Sequence, residues 1–188
     1  MSKQVAIVFH SGYGHTRRQA EAVASGVSEV AGVEVGLFPV DALGEAEWAR
    51  LDAADALIFG SPTYMGSAAA RFKEFMEASS GRWYQRRWLD KLAAGFTCSA
   101  SQNGDKLNTL VEMMLFAQQH GMLWIGLGLL PGNNSSKGSV DDLNRLGSFA
   151  GAMAQANSDQ GAEAMQESDL KTAALLGRRV AETVVRRF

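Results

Sequence analysis

The sequence predicts an α/β protein: a parallel β-sheet covered by helices on both faces. Three observations predict it. Residues 5–9, VAIVF, are an unbroken apolar run rich in β-branched side chains, the pattern of a strand buried on both faces. Such runs recur, and they alternate with segments whose apolar residues repeat at spacings of three and four, as on one side of a helix. The chain has 188 residues, 46% of them hydrophobic, 20% charged and only 3 of them Pro. That suits one domain over residues 1–188, with a core large enough to need no disulfide or metal staple.

The elements follow in order. After the first strand, residues 16–30 read as a helix, with Ala20, Val23, Ala24, Val27 and Val30 on one stripe and Gly32 as a stop. Residues 33–40 and 56–59 read as the second and third strands. Residues 71–78 read as helix, 94–98 as strand, 107–120 as helix and 122–127 as a fifth strand. The last helix is the clearest. Ser168 can cap it, Leu170, Ala173, Ala174, Gly177, Val180, Ala181 and Val184 form its apolar face, and Arg186 and Arg187 suit the dipole of its last turn. Five strands joined through helices imply right-handed crossovers. Residues 128–161, rich in Gly, Asn and Ser, break this rhythm and read as a long loop, a lid or interface, with a short helix at 141–153.

Composition excludes several classes. Lys and Arg number 18 against 20 Asp and Glu, a net charge of −2, so no basic face points to nucleic acid. No apolar run reaches the roughly 20 residues of a membrane span. The start MSKQVAIVFH lacks the pattern of a signal peptide. One cysteine, Cys98, makes a cytoplasmic setting the expectation. With only His10, His15 and His120 beside it, widely spaced, no metal site is expected.

Ligands of open parallel sheets bind beyond the carboxyl ends of the strands. Three such ends carry unusual loops. The first, His10-Ser11-Gly12-Tyr13-Gly14-His15-Thr16, is small and hydroxyl-bearing and leads straight into a helix whose free N–H groups favour an anion. It lacks the P-loop lysine, and its Gly12-x-Gly14 is followed by Arg17 where a dinucleotide fingerprint needs a small residue. A terminal phosphate monoester suits it; an ordinary tight turn is the plain alternative. The second loop is Gly60-Ser61-Pro62-Thr63-Tyr64-Met65-Gly66-Ser67, with Pro62 and Gly66 shaping it and Tyr64 and Met65 placed to meet a flat ring. The third is Cys98-Ser99-Ala100-Ser101-Gln102-Asn103-Gly104. His120, at a helix end, reads either as a dipole cap or as a ligand contact. Trp83 and Trp88 flank Arg82, Arg86 and Arg87 in GRWYQRRW, an exposed cluster typical of an interface.

SGYGHT, GSPTYMG, the small polar loop at 97–104 and QHGM at 119–122, in that order, resemble flavodoxin-like FMN proteins. Among these the chain is most similar to WrbA-type NAD(P)H:quinone oxidoreductases and NAD(P)H-dependent FMN reductases. The resemblance covers nearly the whole chain and implies a flavodoxin-like three-layer sandwich around a five-stranded parallel sheet. It implies FMN as cofactor and NAD(P)H as co-substrate, with hydride passed to flavin N5 and on to a quinone or other small acceptor. It assigns Ser11, Gly12, Tyr13, Gly14, His15 and Thr16 to the FMN phosphate. Thr63, Tyr64 and Met65, shaped by Pro62 and Gly66, fall to the isoalloxazine. Ser99, Ala100, Ser101, Gln102 and Asn103 line the ribityl and ring edge, and His120 contacts the ring. Tyr13 touches the nicotinamide nucleotide, and Trp83 comes from a neighbouring subunit of a homodimer or homotetramer. No protein nucleophile is implied; Tyr64, His120 and Trp83 are substrate contacts. The chain departs from WrbA-type proteins in having Thr63-Tyr64-Met65-Gly66 where Thr-Arg-Phe-Gly is common, and Ser-Ala-Ser-Gln-Asn-Gly in place of a Gly-rich third loop. An electron-carrying flavodoxin, or a flavin reductase supplying a partner, are the alternatives. The first would ordinarily carry a stronger acidic charge.

Overall fold

The computed structural model describes residues 2–187. The main sheet holds β1 (Lys3–Phe9), β2 (Val33–Pro39), β3 (Ala56–Tyr64), β5 (Leu92–Ser99), β6 (Leu123–Trp124) and β7 (Ala152–Gln155). All of its pairings are parallel, in the order β2-β1-β3-β5-β6, with β7 also pairing β5. A two-residue strand, β4 (Ser67–Ala68), pairs antiparallel with the end of β3. The helices are α1 (His15–Ser28), α2 (Glu45–Ala53), α3 (Ala70–Ala78), α4 (Ser80–Tyr84), α5 (Lys106–Gln119) and α6 (Glu167–Arg187).

The period-two alternation of β1 divides the core. Val5, Ile7 and Phe9 face α1 and α6, packing on Ala20, Val23, Val27, Leu176, Val180 and Val184. Ala6 and Val8 face the opposite layer, with Leu51 of α2, Phe72 and Phe75 of α3 and Met113 and Phe116 of α5. The expected parallel sheet between two helical layers is therefore present.

Two expectations fail. The fifth position of the sheet is not filled by residues 122–127. Only Leu123 and Trp124 pair there, beside Leu92 and Ala93, and the chain then leaves the sheet. It returns as β7, which pairs the other half of β5 from Phe96 to Ser99. The segment read as a long loop thus contains half a strand, and residues 141–153 form turns instead of a helix. The insertion is fixed at its base. Arg145 donates through Nε and Nη2 to Asp169 at 2.8 and 2.7 Å, and the Gln155 N–H donates to the same carboxylate at 2.9 Å. Ser168 is not a cap; its Oγ donates to the Val140 carbonyl at 2.7 Å and ties the insertion to α6.

Trp88 also departs from the interface reading. It is fully buried, stacked near Phe75 and Trp48, and its Nε1–H donates to Asp52 at 2.9 Å. Arg82 reaches the same carboxylate at 3.1 Å and lies 4.1 Å over the Trp48 ring.

Helices α1 and α6 touch backbone to backbone. A Cβ on Gly26 would lie 1.8 Å from the Ala174 carbonyl oxygen, and one on Gly177 2.0 Å from that of Val23. Gly177→Ala should therefore destabilise by about 2–3 kcal/mol through overpacking, against the usual gain of a helical Gly→Ala change. Gly81→Ala in α4, where a Cβ meets nothing within 4 Å, should not destabilise. Urea unfolding of the two variants checks this.

Candidate functional site

The strand order reverses around β1 and β3: the first crossover leads outward to β2, the later ones to β5 and beyond. A crevice opens outside the carboxyl ends of the strands at such a point. Here it is a cleft of about 630 Å³. Tyr13 and Thr16 wall it after β1, Pro62 and Tyr64 on β3, and Ser99 and Ala100 after β5.

The first loop becomes α1 through Gly14, whose φ of +92° is open to glycine at little cost. The Ser11 Oγ accepts the Arg17 N–H at 3.1 Å, satisfying the third residue of the helix from outside it. The N–H groups of the first turn and the partial positive charge of the helix end remain turned to the cleft, the requirements for holding a phosphate. Thr16 is buried, its hydroxyl 3.3 Å from the Cys98 Sγ, and burial pushes that thiol's pKa up. The His15 Nε2 lies 2.9 Å from the Gln160 carbonyl, so the chain after β7 is tied to the helix start. Ser158, Asp159 and Gln160 complete the wall there. His10, at the end of β1, contacts Asp41 through Nδ1 at 3.0 Å.

The second loop is a two-residue hairpin between β3 and β4. Met65 and Gly66 have φ of +49° and +78°, the positive values that a type I′ turn requires at both positions. Methionine is unusual in this region, and its side chain is fully exposed at the tip. Tyr64 is half-exposed and meets the exposed Tyr13 edge to face at 6.5 Å. Its hydroxyl lies 2.7 Å from where a Cβ on Gly12 would sit, so only glycine permits that approach. Partial burial raises the Tyr64 pKa, with smaller contributions from Cys98 and Tyr13. Thr63 is buried: its hydroxyl meets Thr97 and Thr109, each at 2.8 Å, so its side chain serves the protein interior and only its backbone is at the loop.

The third loop is split. Ser99 and Ala100 line the cleft, whereas Gln102 and Asn103 line a separate recess of about 770 Å³ shared with Arg145, Phe149 and Met153. Ser101 is exposed and presents its carbonyl to Lys106.

His120 and Trp83 lie elsewhere. The Asp90 N–H donates to the Gly121 carbonyl and the Leu123 N–H to that of Lys91, which places His120 beyond the start of β5. Seven strand steps, about 23 Å, separate that edge from Ser99. His120 and Trp83 share a recess of about 420 Å³ with Tyr84 and Arg86. The Ser79 hydroxyl donates to the Met76 carbonyl at 2.7 Å, so the contact at 2.9 Å must be a donation from the His120 Nε2–H to Ser79. That leaves Nδ1 unprotonated, buried and without a protein partner among the described residues. Burial against Trp88 and Phe116 takes the imidazole pKa down to about 4.

Sequence reasoning missed residues 158–160, which reach the cleft only because β7 returns the chain there. It also missed Lys106, whose position just inside a helix start, where a cation is disfavoured, was the available signal.

A flavodoxin-like protein is what this sheet order and this cleft define. The family model described as NADPH-dependent FMN reductase matches residues 5–134, and the chain belongs to that family. It is 46% identical over 184 residues to flavodoxin FldP of Pseudomonas aeruginosa, covering 96% of each chain. It is 34% identical over 199 residues to an NAD(P)H dehydrogenase (quinone) of Geobacter sulfurreducens, covering 95% of this chain and 96% of that one. Among solved structures it is similar to the flavodoxin, WrbA-like protein from Agrobacterium tumefaciens, with TM-score 0.79, 44% identity and full coverage of both chains.

The His120 pKa sets a pH dependence. The unfolded histidine takes up its proton near pH 6.5, the folded one only near 4. As pH falls through that window the unfolded state binds more protons, so folding stability is lost, by up to about 3 kcal/mol from this group. His120→Gln should flatten the stability curve between those pH values, read by urea denaturation.

Proposed function

We propose that the chain is an FMN-dependent oxidoreductase that takes two electrons from NAD(P)H and delivers them to a quinone. The residues fit the cofactor. The α1 N-terminus with Ser11 and Gly14 offers the phosphate cradle, and the hairpin and third loop offer two walls for a flat ring. The observation that carries the enzymatic reading is the open mouth of the cleft. There Tyr13 and Tyr64 stand exposed, edge to face, as an aromatic platform for a second planar group. Bound FMN supplies the chemistry, accepting hydride from the nicotinamide and passing the electron pair to the acceptor. The protein holds the phosphate, orients the ring with backbone donors and leaves one face open. The Tyr64 hydroxyl, its pKa raised, keeps its proton at neutral pH and can donate a hydrogen bond to a quinone oxygen.

His120 and Trp83 are too far from the cleft of their own chain to touch a ring bound there. They serve the site only from a second copy, so the reading includes a homodimer or homotetramer whose recess at Trp83 and His120 faces a neighbour's cleft. The buried single thiol suits a reducing, cytoplasmic setting.

The identity to flavodoxin FldP favours a second reading, an electron carrier. Anaerobic stopped-flow separates the two. The FMN-loaded protein mixed with NADPH or NADH should lose its flavin absorbance within seconds and regain it on adding benzoquinone. Flavin that dithionite bleaches but neither nicotinamide does would overturn the oxidoreductase reading in favour of the carrier.

A further inference from the structure

Lys106 is fully buried, yet it is the first residue of α5, where the helix dipole opposes a cation. Its ammonium donates to three neutral oxygens: Ser99 Oγ at 2.9 Å, the Ser101 carbonyl at 2.7 Å and the Gln102 carbonyl at 3.0 Å. All three of its protons are thereby used. The loop it grips is strained. Gly104 and Asp105 both have positive φ, 56° and 52°, and the Asp105 N–H is held by the Asn103 side chain at 3.1 Å. Packing alone does not call for a charge here; a buried methionine would fill the space without desolvation cost.

The geometry of the peptide gives the lysine a use. In a trans peptide the C=O and the following N–H point in opposite directions. Two carbonyls drawn inward to one ammonium therefore turn the N–H groups of Gln102 and Asn103 outward. Among the described residues neither N–H donates to a protein acceptor. Two adjacent outward donors with a cation behind them form a cradle for an oxygen that gains negative charge.

We propose that Lys106 is a positioning residue: it presents the Gln102 and Asn103 amides to the pyrimidine edge of FMN and makes the site prefer the reduced, more negative cofactor. This rests on the FMN reading above. The lysine acts through the loop and does not touch the ligand. Charged and titratable groups face it from three sides: Cys98 on β5, Asp169 on α6 and Arg145 in the insertion, the last two paired with each other. Burial lowers the ammonium's pKa to about 8, so its charge disappears as pH rises through that value.

The test compares the affinity for oxidised FMN, read by quenching of its fluorescence, with the midpoint potential of bound relative to free FMN, read against a reference dye. Lys106→Met should weaken oxidised FMN binding only a few-fold. It should cut the preference for reduced over oxidised FMN at least tenfold, a fall of about 30 mV for two electrons. In the unaltered protein the same preference should weaken as pH is raised through about 8. An unchanged potential in a folded Lys106→Met variant, or equal losses for both forms of FMN, would overturn the proposal. Should that variant not fold, a pH-independent preference in the unaltered protein overturns it. Unaltered protein that binds no FMN would instead overturn the reading on which the proposal rests.

Discussion

Parallel pairing is the constraint on which the rest depends. Because β1, β2, β3, β5, β6 and β7 run the same way, each connection must cross back over a face of the sheet. The crossovers bury both faces of β1, which is why Val5 to Phe9 is apolar without interruption. They also deliver every strand's carboxyl end, and the start of α1, to one edge. The cleft is a consequence of that direction. Its walls come from loops far apart in the sequence, and they meet because the strands end together.

The electrostatics of the edge follow the same geometry. The start of α1 offers partial positive charge to a phosphate at one end of the cleft. At the third loop a buried ammonium turns two peptide dipoles outward. Asp159 is a carboxylate on the wall between residues that otherwise contribute backbone and hydroxyl groups. The opposite edge of the sheet has a different character. Asp52 gathers Arg82, Arg87 and Trp88, the aromatic rings of Trp48, Phe75 and Trp88 stack beneath, and His120 is kept neutral against them. That edge is built for rigidity and carries Trp83 at its surface.

Much of this was legible in the residues. Strands buried on both faces announce themselves as apolar runs, as β1 does, and a long amphipathic helix such as α6 shows its stripe at once. The three small polar loops were legible because glycine and hydroxyl residues at strand ends have few other uses. The split fifth strand was not legible. Ala152–Gln155 is short, lies within a Gly- and Asn-rich stretch, and is a strand only because half of β5 would otherwise lack a partner. Helix α2 was missed because Leu51 is its single buried residue and Gly44 offers no side-chain cap. Residues 158–160 carry no motif: Gln160 works through its carbonyl, which any residue would supply. Trp88 misled because a tryptophan among arginines looks exposed, whereas its indole N–H had a buried acceptor in Asp52.

The central claim is that the start of α1 holds a phosphate monoester attached to a flat ring. Titrating the apoprotein with FMN and with riboflavin, which differ by that phosphate, tests it most directly. Two or three charge-assisted hydrogen bonds from the first loop should make FMN bind at least about 100-fold more tightly. Equal affinity for the two would contradict the account, because the cleft would then be reading the ring alone.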